Sequence, residues 1–278
     1  MAIASLRDKR VVVTGAASGI GRSAVLAFGR EGAHLVALDR DAAGLAAVGL
    51  QAREAGLSCE TRVLDVTDAD AWRALAATLA DDGATPHVLV NNAGIGYFGL
   101  FLESDLAHWR RVLDVNLMGV VHGCHAFLPS MLAAGGPRHV LNVASSAGNF
   151  PVPSMAAYAA SKFAVNGFTE VLRMELAATN VRFTTVCPGV IDTPIVTVRS
   201  NVAPGVSEAQ MARLQAYYRR EGCSPDVVAA DMVRAVGHDV DMLLTGPAAR
   251  LVYHLRRISL RLARAVTLRF ARQSGYLA

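Results

Sequence analysis

Short runs of branched apolar residues recur along the first two hundred positions, separated by longer stretches whose apolar residues return every three or four places. The runs at 10–14, 34–38, 87–90 and 139–144 are too apolar to alternate, which predicts strands covered on both faces, and 59–64 reads as a further strand. Between them, 22–31, 42–55, 68–80 and 109–132 carry the helical period. Strand and helix in strict alternation predict an α/β fold built on a doubly wound parallel sheet, with ligands at the carboxyl ends of the strands. Beyond these, 207–220 reads as a helix, Pro225 opens another, 241–246 reads as a last strand, and Pro247 begins a final helix.

The polar residues that interrupt the pattern fall at those carboxyl ends. The first strand runs into Thr14-Gly15-Ala16-Ala17-Ser18-Gly19-Ile20-Gly21, where glycines permit a tight turn and the next helix presents free N–H groups to a pyrophosphate. The second strand ends at Asp39, about twenty residues on, where a carboxylate can accept hydrogen bonds from a ribose diol and repel a 2′-phosphate. Arg40 beside it could reach such a phosphate, so NAD is favoured and NADP stays open. Asp65-Val66-Thr67 closes the third strand, Asn91-Asn92-Ala93-Gly94 the fourth and Ser145-Ser146 the fifth. Asp65 and Asn91 fit turn or cap duties equally well. Asn116, in the middle of a helical stretch, runs against propensity and suggests a hydrogen-bonding task or a solvent-facing position. Tyr158 and Lys162 lie four apart, on one face of a helix, where a cation can bring a phenol of pKa about 10 toward neutrality. Many ordinary helices carry the same pair.

Taken in order, Thr14-Gly-x-x-x-Gly19-x-Gly21, Asn91-Asn92-Ala93-Gly94, Asn116, Ser145, Tyr158-x-x-x-Lys162 and Pro188-Gly189-Val190-Ile191-Asp192-Thr193 resemble the short-chain dehydrogenase/reductase family in its shorter single-domain branch, from about residue 8 to 194. The resemblance implies a Rossmann-type, three-layer α/β/α domain over 1–246. It also implies a tetrad of Asn116, Ser145, Tyr158 and Lys162, with Ser146 the alternative serine. Tyr158 would exchange a proton with the substrate oxygen, Ser145 would hydrogen-bond that oxygen, and Lys162 would lower the Tyr158 pKa and hold the nicotinamide ribose. Asn116 would anchor a water leading to solvent. The cofactor would be held by Gly15, Ser18, Gly19, Ile20, Gly21, Asp39, Arg40, Asp65, Val66, Asn92, Ala93, Gly94, Tyr158, Lys162, Pro188, Gly189, Ile191 and Thr193. No metal is expected. A homodimer or homotetramer formed through the helices carrying Asn116 and Tyr158 is the family habit.

Composition narrows the remainder. With 53% hydrophobic and 18% charged residues the chain is core-rich, and the start shows no secretory pattern, so a cytoplasmic protein with reduced thiols is expected. The net charge of +4 is local: seven arginines and no acid lie after Pro247, whereas the other 20 cations face 23 anions. Residues 247–278 therefore read as a basic amphipathic extension, with apolar residues at 251, 255, 258, 262 and 266. It would pack on the body or a sister subunit, or contact an anionic membrane; nucleic-acid binding is not favoured. Residues 194–222 read as a lid, and Ile195, Val196, Val198, Val202, Met211 and Leu214, with Tyr97, Phe98 and Phe150, suggest a pocket for a hydrophobic secondary alcohol or ketone. An NADPH-dependent 3-oxoacyl-thioester or ketone reductase is the rival enzyme. An epimerase or dehydratase and a non-catalytic nucleotide-sensing regulator fit less well.

Overall fold

The strands form one all-parallel, seven-stranded sheet in the order β3-β2-β1-β4-β5-β6-β7. The computed structural model describes residues 2–150, 152–196 and 198–277, Val196 without its side chain. In chain order the first half comprises β1 (Arg10–Thr14), α1 (Gly19–Arg30), β2 (His34–Asp39), α2 (Ala42–Glu54), β3 (Cys59–Val63), α3 (Ala69–Asp81) and β4 (Val88–Asn91). After it come α4 (Leu106–Leu113), α5 (Gly119–Ala133), β5 (Arg138–Val143), α6 (Ala156–Glu175) and β6 (Val181–Pro188). The remainder is α7 (Glu208–Glu221), α8 (Pro225–His238), β7 (Met242–Thr245), α9 (Ala249–Ile258) and α10 (Leu260–Ser274).

Successive side chains of a strand point to opposite faces, so an all-apolar strand feeds two cores. Val11 and Val13 join Phe28 of α1, Val48 of α2 and Met232 of α8 on one face. Val12 joins Trp72 of α3, Phe127 and Met131 of α5 and Val165 of α6 on the other. The three-layer expectation is met. β1 pairs with β2 on one side and β4 on the other, so the winding reverses there and opens a crevice at the carboxyl edge.

Two local features depart from the sequence reading. The stretch expected as one helix from 109 to 132 runs from Leu106 to Ala133 and is interrupted by a π-helical turn, Asp114–Met118, centred on Asn116. This helix is long and apolar enough to cross a bilayer, but Val112, Phe127 and Met131 are fully buried in the protein's own core. The tail is two helices: Ser259, in extended conformation, stops α9 and its hydroxyl accepts from Leu262 N to cap α10.

Candidate active site

At the crevice, the ends of β1 and β4 are tied together. Thr14 Oγ1 accepts from the backbone N–H groups of Asn92 (2.9 Å) and Ala93 (3.0 Å), and Asn92 Nδ2 donates to the Thr14 carbonyl at 2.9 Å. The chain then turns at Gly15 with φ +65°, where a Cβ would stand 2.8 Å from Ala93 Cα. Gly21 allows α1 to lie against this turn, since a Cβ there would meet the Gly15 carbonyl oxygen at 2.0 Å. α2 and α3 begin with aspartates whose carboxylates accept first-turn N–H groups; α1 begins at Ser18 with no side-chain cap. Its first-turn donors therefore face the crevice unclaimed, as an anionic pyrophosphate requires. Asp39 completes this end: its two oxygens accept from Ala17 N and Asp41 N, both at 3.0 Å, which orients a carboxylate with lone pairs to spare at the cavity wall. A dinucleotide fits this donor set.

One cavity of about 460 Å³ joins the turn to the tyrosine, and its lining includes every residue expected to hold cofactor except Gly21. Gly21 acts from behind, through packing. Ser145, Tyr158 and Lys162 line the same cavity; Asn116 lies one layer deeper.

β5 delivers Ser145 at its end, and α6 brings Tyr158 and Lys162 across from it. The Tyr158 phenol is within hydrogen-bonding reach of the Ser145 side chain. Lys162 is 3% exposed; its Nζ donates to the Val143 carbonyl at 2.8 Å and lies 5.7 Å from the centre of the Tyr158 ring. Burial pushes the Lys162 pKa down to about 8. Burial also raises the Tyr158 pKa, against a lowering by the Ser145 hydrogen bond and helped by the charge of Cys187. Lys162, expected to lower this phenol, takes no part in the balance: its Nζ is engaged by the Val143 carbonyl, 5.7 Å from the centre of the ring. Cys187 is an unforeseen neighbour, a buried thiol whose own pKa is pushed up to about 11, first by burial.

Asn116 is wholly enclosed. Its Nδ2 donates to the Ile95 carbonyl and to Ser161 Oγ, both at 3.0 Å, and its Oδ1 accepts from Ile95 N at 2.8 Å. The π turn thus clamps the loop after β4 to α6. A Cβ on Gly94 would be 3.3 Å from Asn116 Oδ1 and 3.4 Å from Lys162 Nζ, so glycine keeps the small space between them open.

The far end of the cavity is built by the segment after Thr193 and, unexpectedly, by the tail. Ile195, Val198 and Phe150 line it as the sequence suggested, while Tyr97, Phe98, Val202, Met211 and Leu214 line a small annex beside it. Val196 was named with them, and its side chain lies outside the described residues. Leu251, Val252, Val266, Thr267, Phe270 and Tyr276 of the tail line the main cavity. Tyr276 is held by Ser154 Oγ donating to its carbonyl, and its hydroxyl is 2.5 Å from that of Tyr218 on α7. Burial raises both phenols; Tyr218 raises Tyr276 further, whereas the hydrogen bond with Tyr276 works against the rise at Tyr218, and both stay neutral. Sequence periodicity had no means of reaching Tyr276; its one signal was an aromatic directly after Gly275, where a helix C-cap turns the chain back.

The chain resembles known proteins over most of its length. A short chain dehydrogenase family model matches residues 9–204. The "Probable oxidoreductase EphD" of Mycobacterium tuberculosis is 40% identical over 255 residues, which is 90% of this chain and 43% of that one; the chain spans less than half of that relative. Among solved structures, a short chain dehydrogenase/reductase from Burkholderia phymatum in complex with NAD superposes with a TM-score of 0.85 at 31% identity, over 94% of this chain and 96% of the other. An actinorhodin polyketide ketoreductase with NADPH matches with a TM-score of 0.76 at 30% identity, over 87% and 97%.

Proposed function

The chain belongs to the short-chain dehydrogenase/reductase family of oxidoreductases, and on that premise we propose that it moves hydride between NAD(H) and a neutral, hydrophobic secondary alcohol or ketone. One observation carries the reading: Tyr158, Ser145 and Lys162 share a single cavity with an uncapped glycine turn and Asp39. When bound, the nicotinamide supplies the carbon that gives or accepts hydride. The chain's own residues do the rest. Tyr158 Oη exchanges the proton of the substrate oxygen, and Ser145 Oγ hydrogen-bonds that oxygen and holds its position. Lys162, anchored on the Val143 carbonyl, stabilises the phenolate when Tyr158 has given up its proton. Asn116 positions this group by bonding the Ile95 backbone and Ser161 on the helix of Tyr158.

In this reading Asp39 holds the adenosine ribose, Asp65 and Val66 flank the adenine, and Ile191 and Thr193 meet the carboxamide. Asp39 favours NAD, while Arg40 at the same wall keeps NADP within reach. The substrate end supports a neutral ligand: its polar groups include the paired phenols of Tyr218 and Tyr276, and the lining cations are Arg40 at the cofactor end and Lys162. Exposed Met118, Val171 and Met174 on the helices carrying Asn116 and Tyr158 support a homo-oligomer, which light scattering on the purified protein checks. Tyr158→Phe tests the mechanism: NADH binding persists and turnover of a panel of alcohols and ketones of graded hydrophobicity falls by several orders of magnitude. Turnover near the wild-type rate removes Tyr158 from the acid/base role.

A further inference from the structure

The two tail helices are packed the wrong way round for a segment that serves only the protein's own core. Their fully buried positions are small, with Ala249, Ala263, Thr267 and Ala271 buried. Val252, Leu255 and Phe270 are half-buried, but most of the large apolar residues point out: Leu251 is 67% exposed and Ile258 80%, and Leu260, Leu262, Val266 and Leu268 are exposed as well. An amphipathic helix ordinarily turns its large apolar stripe to whatever it is stabilised by.

Arginines stand among these residues. Of the seven after Pro247, Arg256 is engaged with the body, donating to the Asn149 carbonyl and stacking over Phe163, and Arg257 stacks on Tyr253 of its own helix. None of the seven is in an ion pair among the described residues, and no acid is present after Pro247 to make one. The same face surrounds the entrance of the cavity, because Leu251 and Val266 are both exposed and both line it.

We propose that this face docks the protein on an anionic lipid surface, with the cavity mouth turned toward the bilayer, so that a lipid-dissolved substrate enters without crossing water. The substrate clause rests on the function proposed above; the docking does not. The composition matches the occupant, since an interface of acyl chains beneath negative headgroups takes leucines and arginines together. A second copy of the chain meets the face less well, because a two-fold contact would set arginines against arginines with no acid in either tail. A nucleic acid would leave the leucines unburied.

Co-sedimentation of the full chain with phosphatidylcholine vesicles, with and without phosphatidylglycerol, tests it. Binding is expected with phosphatidylglycerol only, and to weaken as salt is raised. Arg261→Gln and Arg264→Gln each lower the partition coefficient about fivefold, and Leu251→Ser with Ile258→Ser and Leu262→Ser abolishes binding. Tyr158→Phe sediments like wild type, so a failed redox assignment is distinguishable from a failed docking surface. Absence of binding to the anionic vesicles, or equal binding to neutral ones, overturns the proposal. So does a wild-type dimer in sedimentation velocity that the triple serine variant loses while neither protein binds vesicles.

Discussion

Replacing Gly21 by alanine separates two effects of opposite sign. Gly21 lies inside α1, and helix propensity alone makes Gly→Ala stabilising by about 1 kcal/mol. Against that, the added Cβ would stand 2.0 Å from the Gly15 carbonyl oxygen, 2.7 Å from its carbon and 2.6 Å from Asn92 Nδ2. The Gly15 atoms are backbone at a positive-φ turn, so α1 or the turn must move by more than an ångström. Asn92 Nδ2 cannot swing away without losing its bonds to the Thr14 and Gly15 carbonyls. Overpacking of this kind costs about 1–3 kcal/mol and a lost hydrogen bond about 1 kcal/mol more. The expected net destabilisation is about 1–3 kcal/mol, read as a lower urea midpoint at unchanged slope. NADH affinity, followed by fluorescence titration, falls at least tenfold, because the displaced turn carries the uncapped N–H groups. An alanine variant as stable as wild type or more so, binding NADH equally well, refutes the steric argument and leaves propensity in charge.

Three other outcomes are expected. Tyr276→Phe removes one member of the buried phenol pair and, with a net hydrogen bond worth about 0.5–1.5 kcal/mol, raises KM about 2–12-fold while kcat changes less; the reverse split makes Tyr276 part of the chemistry. Asp39→Ala narrows the preference for NAD over NADP by tenfold or more, since a carboxylate and a phosphate about 4 Å apart repel by up to about 4 kcal/mol at an effective dielectric of about 20; paired titrations with the two cofactors measure it. His139 is wholly buried, its Nε2 bonded to Thr184 Oγ1 at 2.8 Å and its Nδ1 unpartnered, and burial brings its pKa down to about 3. The unfolded chain therefore binds the extra proton first as pH falls below about 6.5, and stability declines at about 1.4 kcal/mol per unit toward pH 3. His139→Gln loses that part of the acid slope in urea titrations; parallel slopes contradict it.

Much of this was legible in the residues, for reasons that can be named. β1, β4 and β5 are buried on both faces, so their short apolar runs between helical stretches read as central strands, and the glycine turn and Asp39 follow from what a nucleotide needs at a strand end. The tetrad residues came from a resemblance, and the structure brings three of them to one cavity with the fourth behind. Long-range outcomes were not legible. The π turn at Asn116 depends on Ile95 and Ser161, 21 and 45 residues away. Asn91, open between turn and cap, donates instead to Asn142 Oδ1 at 2.9 Å, inside the sheet. The direction of the tail's apolar stripe is set by the small size of Ala263, Thr267 and Ala271, which periodicity counts as part of the same helix and cannot orient.

The cavity's two ends are also written at different places in the chain, with an outcome for biosynthesis. The residues proposed to meet the nucleotide lie between Gly15 and Thr193, and the phenol pair at the other end of the cavity needs Tyr276. Chains emerge from their N-terminus, and Val228, Met232 and Val236 of α8 complete the core face that holds α1, so the nucleotide half can form once α8 has been made, while α9 and α10 are still to come. A nascent chain that captures its cofactor at that stage gains the stability of the bound state before its substrate end exists. The order of synthesis then becomes an order of assembly: dinucleotide first, and a closed substrate chamber only when Tyr276 arrives.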